Sequence, residues 1–362
     1  MNSIERKEQR YLRRKSKREE RIINNSLKYS NIDSIFVFHK VLKYADKCCN
    51  GVRWKKSTFL FQNHMFTIIA KTCNDIKNDT YKVGKTYKFT INERGKIRHI
   101  DAPFIKDRLV HKVLSNEVLV HIYNKHLIYD NGASQKNKGF IFALTRVKNA
   151  LIKYYKKYGL NGYVLLIDYS KFFDNCSHNI IKEYHNRLIR NNYTTKVIED
   201  YLFIDTGIAL GIELAQREAS IIPNILDHFI ENKGYFIERY MDDTIILINS
   251  LKDAENILKE YTYLANKLDI KINSNKTKIV SLNEYFMYCK WHFKLLNTGK
   301  VIMVPDKKTI YRQRRKLRKM INKSFDKEIN IVKTCFKAYL NIGNSYKYIK
   351  WLDKNNKFSK NS

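Results

Sequence analysis

Proline and glycine are scarce, at 3 and 12 of 362 residues. So few breakers exclude long flexible linkers, and any subdomains must run directly into one another. The six cysteines, Cys48, Cys49, Cys73, Cys176, Cys289 and Cys335, form no Cys-x-x-Cys pair. That spacing excludes a structural zinc site and a disulfide framework, and reduced thiols are expected. Histidines lack ligand spacing, and His178 and His228 read as polar packing residues. No apolar run approaches the roughly 18 to 20 residues that cross a membrane. The chain starts without a secretory signal pattern, so a cytoplasmic protein with no membrane partner is expected. Acids are also short, with Asp plus Glu at 35 against Lys plus Arg at 69, a net charge of +34. That excess is beyond what solubility requires and implies a polyanionic partner. Rings are plentiful, at 25 Tyr and 19 Phe. Some can stack on bases, while most belong in a core.

The few acids are placed with purpose. Residues 235 to 248 contain two β-rich runs, Tyr235 to Tyr240 and Thr244 to Ile248, around Asp242 and Asp243. The pattern predicts a hairpin with both acids at its tip. Neighbouring carboxylates repel, and a divalent cation removes the conflict. Upstream, the unbroken apolar run Val164 to Ile167 predicts a strand buried on both faces and ending at Asp168. A carboxylate there, beside an acidic hairpin tip, is what two-metal phosphoryl transfer requires.

With Tyr240-Met241-Asp242-Asp243 preceded by Asp168 and by Phe172-Phe173-Asp174, the chain resembles the palm of a reverse transcriptase. The resemblance is closest to the bacterial group: intron-encoded, retron, diversity-generating and defence-associated enzymes. It covers about residues 31 to 352. It implies an α+β, right-hand polymerase fold with fingers, a palm of antiparallel sheet packed on helices, and a helical thumb. The expected divisions are a basic arm at 1–30, fingers at 31–160, palm with primer grip at 161–305, thumb at 306–352 and a polar tail at 353–362. It further implies catalysis by Asp168, Asp242 and Asp243, which would hold two Mg²⁺ ions with the carbonyl of Tyr169. Phe173 matches the steric gate that excludes a 2′-hydroxyl, and Phe172 reads as core. Tyr240 is expected to contact the nucleotide.

Other stretches fall into place around this centre. Lys85 to Ile91 and Lys96 to Ala102 predict a hairpin, with Lys96 and Arg98 on one face as triphosphate ligands. Asp101 to Arg108 resembles the family's fingers motif, with Asp107 and Arg108 structural. Residues 1 to 24 read either as a frayed, solvated helix or as an arm gripping phosphates. Near Gly51, Arg53 and Trp54 are candidates for RNA contact, with packing the expected role of Trp54. Helices are expected over Phe59 to Cys73, Phe142 to Tyr158, Arg217 to Glu231 and Ala254 to Leu268. Gly207, Gly211 and Gln216 match a loop-and-helix motif beneath the templating base, with Gly211 and Gln216 binding nucleotide. Ala209 and Ala215 depart from its usual Pro and Ser. Lys276 and Lys278 are alternative general acids toward the leaving pyrophosphate. Phe286 to Phe293 resembles a primer grip without its usual glycine. After Lys307, Ile310, Leu317, Ile321 and Phe325 form an apolar stripe, and Arg312, Arg315, Arg318 and Lys319 are expected on duplex phosphates.

The expected activity is RNA-directed DNA synthesis, with RNA template, DNA product and dNTPs as partners. A Val-Thr-Gly retron signature is missing, and the chain ends where maturases usually continue. The expected setting is bacterial or phage-encoded antiphage defence with a dedicated non-coding RNA, and a companion protein or homo-oligomer remains open. The alternatives are a diversity-generating enzyme, a template-independent polymerase, and an RNA-binding maturase or scaffold.

Overall fold

The computed structural model describes residues 3–93, 95–204, 206–321 and 326–354. Arg94 of the expected hairpin turn, Phe325 of the apolar stripe and most of the expected polar tail lie outside them. The chain divides into two compact units that interleave along the sequence. One contains Met1–Ile128, Ser170–Leu226 and Leu264–Lys271; the other contains Tyr129–Tyr169, Asp227–Tyr263 and Ile272–Ser362. The architecture is α+β, and every strand pair within the described sheets is antiparallel.

The first unit is mainly helical around Val41, Ala45, Ile69, Leu109, Val113 and Ile198, all buried. Its hairpin pairs β1 (Thr86–Glu93) with β2 (Lys96–Pro103). The basic arm is one continuous helix, Ser3–Tyr29, and residues 3 to 21 of it are exposed throughout. Its C-terminal end is pinned. The Ser26 hydroxyl donates to the Ile189 carbonyl, the Thr194 hydroxyl donates to the Ser30 carbonyl at 2.7 Å, and Tyr29 stacks on His121. Two helices expected as single rods are broken. The first splits into Lys56–Asn63 and Met65–Lys77, with His64 off helical dihedrals. The second splits into Glu213–Ile221 and Asn224–Asn232, because Pro223 has no N–H for the helical ladder.

The second unit is built on a four-stranded sheet in the order β4 (Phe236–Tyr240), β5 (Asp243–Ile248), β3 (Tyr163–Asp168), β6 (Lys278–Ser281). The two inner strands carry the unbroken apolar runs, because both of their faces are covered. On one face Val164, Ile245 and Leu247 meet Ala143, Val147 and Leu151 of the Phe140–Tyr158 helix. The same core takes in Trp291, Phe293 and Met303 of a second sheet. That sheet is β7 (Phe286–Tyr288), β8 (Trp291–Leu295) and β9 (Val301–Pro305). By alternation, Leu165, Ile167, Ile246 and Ile248 turn to the opposite face and are buried there. The Lys307–Ile321, Asp326–Leu340 and Tyr346–Lys354 helices share a separate small core of Ile310, Leu317, Phe336, Leu340 and Leu352.

Candidate active site

Asp168 is the last residue of β3 and the direct cross-strand partner of Asp243, the first residue of β5. On its other side Asp243 faces Tyr240, the last residue of β4. Directly opposed residues hold their Cβ atoms about 4.5–5.5 Å apart. Two carboxylates from distant segments are therefore brought together by strand register alone. Met241 and Asp242 form the two-residue connection, with Met241 at φ +57°. The acids are thus not both at the tip. Asp242 is in the turn, whereas Asp243 already belongs to the strand.

The electrostatics follow from that crowding. Burial, then the charges of Asp242 and Asp168, push the Asp243 carboxyl up to about 7, and Lys276 and Lys290 only partly oppose them. Asp168 is buried, and both its oxygens have donors: Lys276 Nζ at 2.6 Å on Oδ1 and Asn273 Nδ2 at 2.9 Å on Oδ2. Its backbone carbonyl accepts from the Asn273 N–H at 2.8 Å. Among the described residues no trio of His, Cys, Asp or Glu forms a ready ligand set. The donor chemistry nonetheless fits a hard divalent cation: Asp168 and Asp243 are cross-strand partners, Asp242 adjoins in the turn and acts on Asp243 by charge, and an ammonium already sits against Asp168. Beside them is a cleft of about 350 Å³, lined by Asp168, Asp243, Lys276, Lys278, Met287 and His292 among others.

The remaining candidates are distributed as follows. Tyr169 is buried with its hydroxyl 2.6 Å from that of Tyr261, and Tyr240 meets Phe140 edge to face. Lys278 is exposed at the start of β6 and lines the same cleft. In the first unit, Phe172 is buried and Phe173 is only half-buried. Asp174 falls in the short 3₁₀ turn Phe173–Asn175, and the helix proper starts after Ser177. Gly207, at φ +75°, lies where a Cβ would strike the Phe173 carbonyl, so that glycine is obligatory. At Gly211, φ +106°, the space of a Cβ is taken by Ile100 of β2, and the neighbouring Leu210 carbonyl accepts from Asp101 N–H at 3.0 Å. Packing on the hairpin accounts for that glycine without a ligand. Gln216 is exposed in the Glu213–Ile221 helix, and Ala209 and Ala215 are buried. Lys96 and Arg98 share a face of β2, and Arg98 is engaged by Glu93 at 2.9 Å. Asp107 is structural, accepting from Tyr81 and Tyr201 in the interior. In the Lys307–Ile321 helix Arg312, Arg315, Arg318 and Lys319 are all exposed, while Arg314 lies over the Trp351 ring at 3.8 Å.

The packing expected of Trp54 is overturned: it is 80% exposed, and Arg53 beside it pairs with Asp46 at 2.7 Å. The Gly51–Trp54 stretch forms a turn after the Phe38–Cys49 helix and leaves the indole outside. Sequence reasoning also missed Asn273 and the buried pair Asp227–Arg239. An arginine inside an apolar strand was the available signal for the latter, since buried charge demands a partner. The Phe286–Phe293 hairpin, expected as a primer grip, turns without glycine because Cys289 and Lys290 both adopt positive φ, +47° and +63°.

A family model for reverse transcriptase (RNA-dependent DNA polymerase) matches residues 77–336. No curated protein matches. Among solved structures, the truncated apo telomerase of Candida tropicalis shares 14% identity at a TM-score of 0.44, over 65% of this chain and 60% of that one. The telomerase of Candida albicans, solved with a fragment of telomeric RNA, shares 12% at 0.48, over 83% and 62%. An insertion-loop deletion mutant of the RNA-dependent RNA polymerase of a human picobirnavirus shares 14% at 0.49, over 76% and 57%. The chain thus spans less than two thirds of the length of each.

Proposed function

This chain belongs to the reverse transcriptase (RNA-dependent DNA polymerase) family, and from that premise we propose that it extends a primer on an RNA template with deoxyribonucleoside triphosphates. The observation that carries the reading is the pairing of Asp168 with Asp243, with Asp242 in the adjoining turn. Asp168, Asp242 and Asp243, with the Tyr169 carbonyl, would hold two Mg²⁺ ions. When bound, such ions supply activation of the primer 3′-hydroxyl and offset charge on the leaving pyrophosphate.

The chain's own groups do the rest. Lys96 and Arg98 bind the triphosphate, and Gln216 and Tyr240 contact the nucleotide. The Phe173 ring excludes a ribose 2′-hydroxyl. Lys276 is favoured over Lys278 as the proton donor to pyrophosphate, because it alone of the two contacts a candidate catalytic carboxylate. The exposed Arg312, Arg315, Arg318 and Lys319 hold duplex phosphates in a helical thumb. The exposed residues 3 to 21 of the Ser3–Tyr29 helix add a basic arm for the same polyanion.

Primer extension on an RNA template with dNTPs and Mg²⁺ tests the reading. Asp242→Asn/Asp243→Asn should abolish extension while leaving RNA binding intact. A double variant as active as the wild type would refute the assignment. Loss of extension with no biological consequence would favour an RNA-binding scaffold. For the biological setting we propose a bacterial antiphage system with a dedicated non-coding RNA, which the charge of +34 suits. The same double variant should then lose phage protection.

A further inference from the structure

The turn that carries Asp242 rests on a fully buried ion pair. Arg239, in β4, and Asp227, on the Asn224–Asn232 helix, have side chains with 0% exposure. The guanidinium gives Nε to both oxygens of Asp227 at 2.8 and 2.9 Å, and Nη2 to Oδ2 at 2.7 Å. Its Nη1 donates to the Met241 carbonyl at 3.1 Å, inside the turn itself. The backbone of Arg239 is fixed independently. Its N–H donates to the Asp130 carbonyl and its carbonyl accepts from the Gly132 N–H, both at 3.0 Å.

Stability alone does not explain this arrangement. Taking two charges out of water is costly, and apolar residues of similar volume often serve the fold as well or better. The pair is placed where position matters. Met241 holds φ +57°, a conformation that non-glycine residues keep only when their surroundings impose it. A planar guanidinium can grip a carboxylate with one edge and still offer a donor to a carbonyl, which an ammonium cannot do in a fixed geometry. The residue following Asp168 joins the same buried layer: Tyr169 pairs with Tyr261 through their hydroxyls, and Arg239 acts electrostatically on both rings.

We propose that Asp227 and Arg239 form a positioning clamp that fixes the Met241 carbonyl, and through it the aim of Asp242 and Asp243. The inference rests on the polymerase reading of these acids. The clamp touches neither nucleotide nor metal. Its loss should therefore leave substrate binding intact and weaken what depends on the angle of the carboxylates.

The test is the paired variant Asp227→Leu/Arg239→Met, which removes both charges without stranding one. Expected are a melting temperature at or above that of the wild type and unchanged primer–template affinity and KM for dNTP. Alongside them, kcat should fall by at least about tenfold, and Mn²⁺ affinity, measured by calorimetry on the enzyme without substrates, should fall by about tenfold. Arg239→Lys keeps the charge but loses the fork, and should show the same split if the pair variant does not fold. Wild-type kcat and wild-type Mn²⁺ affinity in whichever variant folds would overturn the clamp. So would a rate loss matched by lost folded protein or by lost primer–template affinity. A wild-type enzyme that extends no primer would instead remove the polymerase reading, while the Mn²⁺ measurement would still judge the clamp.

Discussion

Lys276 Nζ lies 2.6 Å from Asp168 Oδ1 while its own side chain remains 51% exposed. The ammonium therefore neutralises a buried carboxylate from a position it can leave. On the proposed reading two roles would be superimposed on it: competitor for the charge of Asp168, and proton donor once released. Lys276→Met separates them. Without the competitor, the Mg²⁺ concentration giving half-maximal extension should fall, by about fivefold if the pair, half-exposed at Lys276, is worth about 1 kcal/mol. Without the donor, kcat at saturating Mg²⁺ should fall. A Mg²⁺ titration at fixed, saturating dNTP reads both, and an unchanged half-saturation would mean that the pair is incidental.

Phe172 and Phe173 are adjacent rings with different environments, one buried and one half-buried, in edge contact at 5.9 Å. Their substitutions should part accordingly. Phe173→Ala should lower the preference for dNTP over rNTP by about tenfold or more, since excluding one small group sterically is worth about 1–3 kcal/mol. Phe172→Ala should leave the preference alone and destabilise the fold by about 3–5 kcal/mol, the usual cost of emptying a core aromatic site. Single-nucleotide insertion with each substrate, beside thermal melts, distinguishes them. Equal selectivity in Phe173→Ala would remove the gate.

The exposed cations of the Lys307–Ile321 helix make a prediction about salt rather than rate. Changing Arg312, Arg315, Arg318 and Lys319 together to Gln should flatten the dependence of log affinity on log salt by about 0.9 for each phosphate no longer neutralised. Arg314 is the control. It stacks on Trp351 in the helical core, so Arg314→Gln should reduce thermal stability and leave the salt slope nearly unchanged. Filter binding to a primer–template duplex across a salt series measures both.

The parts of the fold that follow local rules were legible from the residues. An unbroken apolar run ending in an acid gave β3 and Asp168, and two β-rich runs around a Gly-containing turn gave the β1–β2 hairpin, two residues short at the end of β1 and within one residue elsewhere. What was not legible depends on tertiary packing that local patterns do not carry. Asp243 looked like part of a tip, yet pairing with both Asp168 and Tyr240 draws it into the strand. Cys289 and Lys290 look unfit for a tight turn, and the packing of Phe286, Trp291 and Phe293 makes them take it. Pro223 was visible and should have divided its helix. Trp54 is the reverse case, since an indole is a poor guide to burial when it follows a glycine turn. The three acids thus came from sequence, whereas the layer of Asp227, Arg239 and Tyr261 beneath them exists only once distant segments have met.

His185 supplies a prediction for pH, in the first unit. It is fully buried, with Nδ1 2.8 Å from Glu199 and Nε2 3.1 Å from Glu218. Glu218 also accepts from the buried Tyr123 hydroxyl at 2.9 and 3.0 Å. Burial alone would pull the imidazole down, but the two glutamates outweigh it and raise it from 6.5 to about 9. A histidine that binds its proton more tightly when folded stabilises the fold fully below about pH 6.5, and that contribution fades as the pH rises through about 9. The interval corresponds to about 3 kcal/mol. Urea unfolding at pH 6 and pH 9 should therefore show the wild type losing stability relative to His185→Gln, which keeps a polar side chain but cannot titrate. The quantity to compare is the difference between the two proteins, because groups outside the Glu199–His185–Glu218 cluster titrate alike in both. If that difference is the same at the two pH values, the imidazole is neutral in the fold, and the Glu199–His185–Glu218 chain is held by hydrogen bonds without charge.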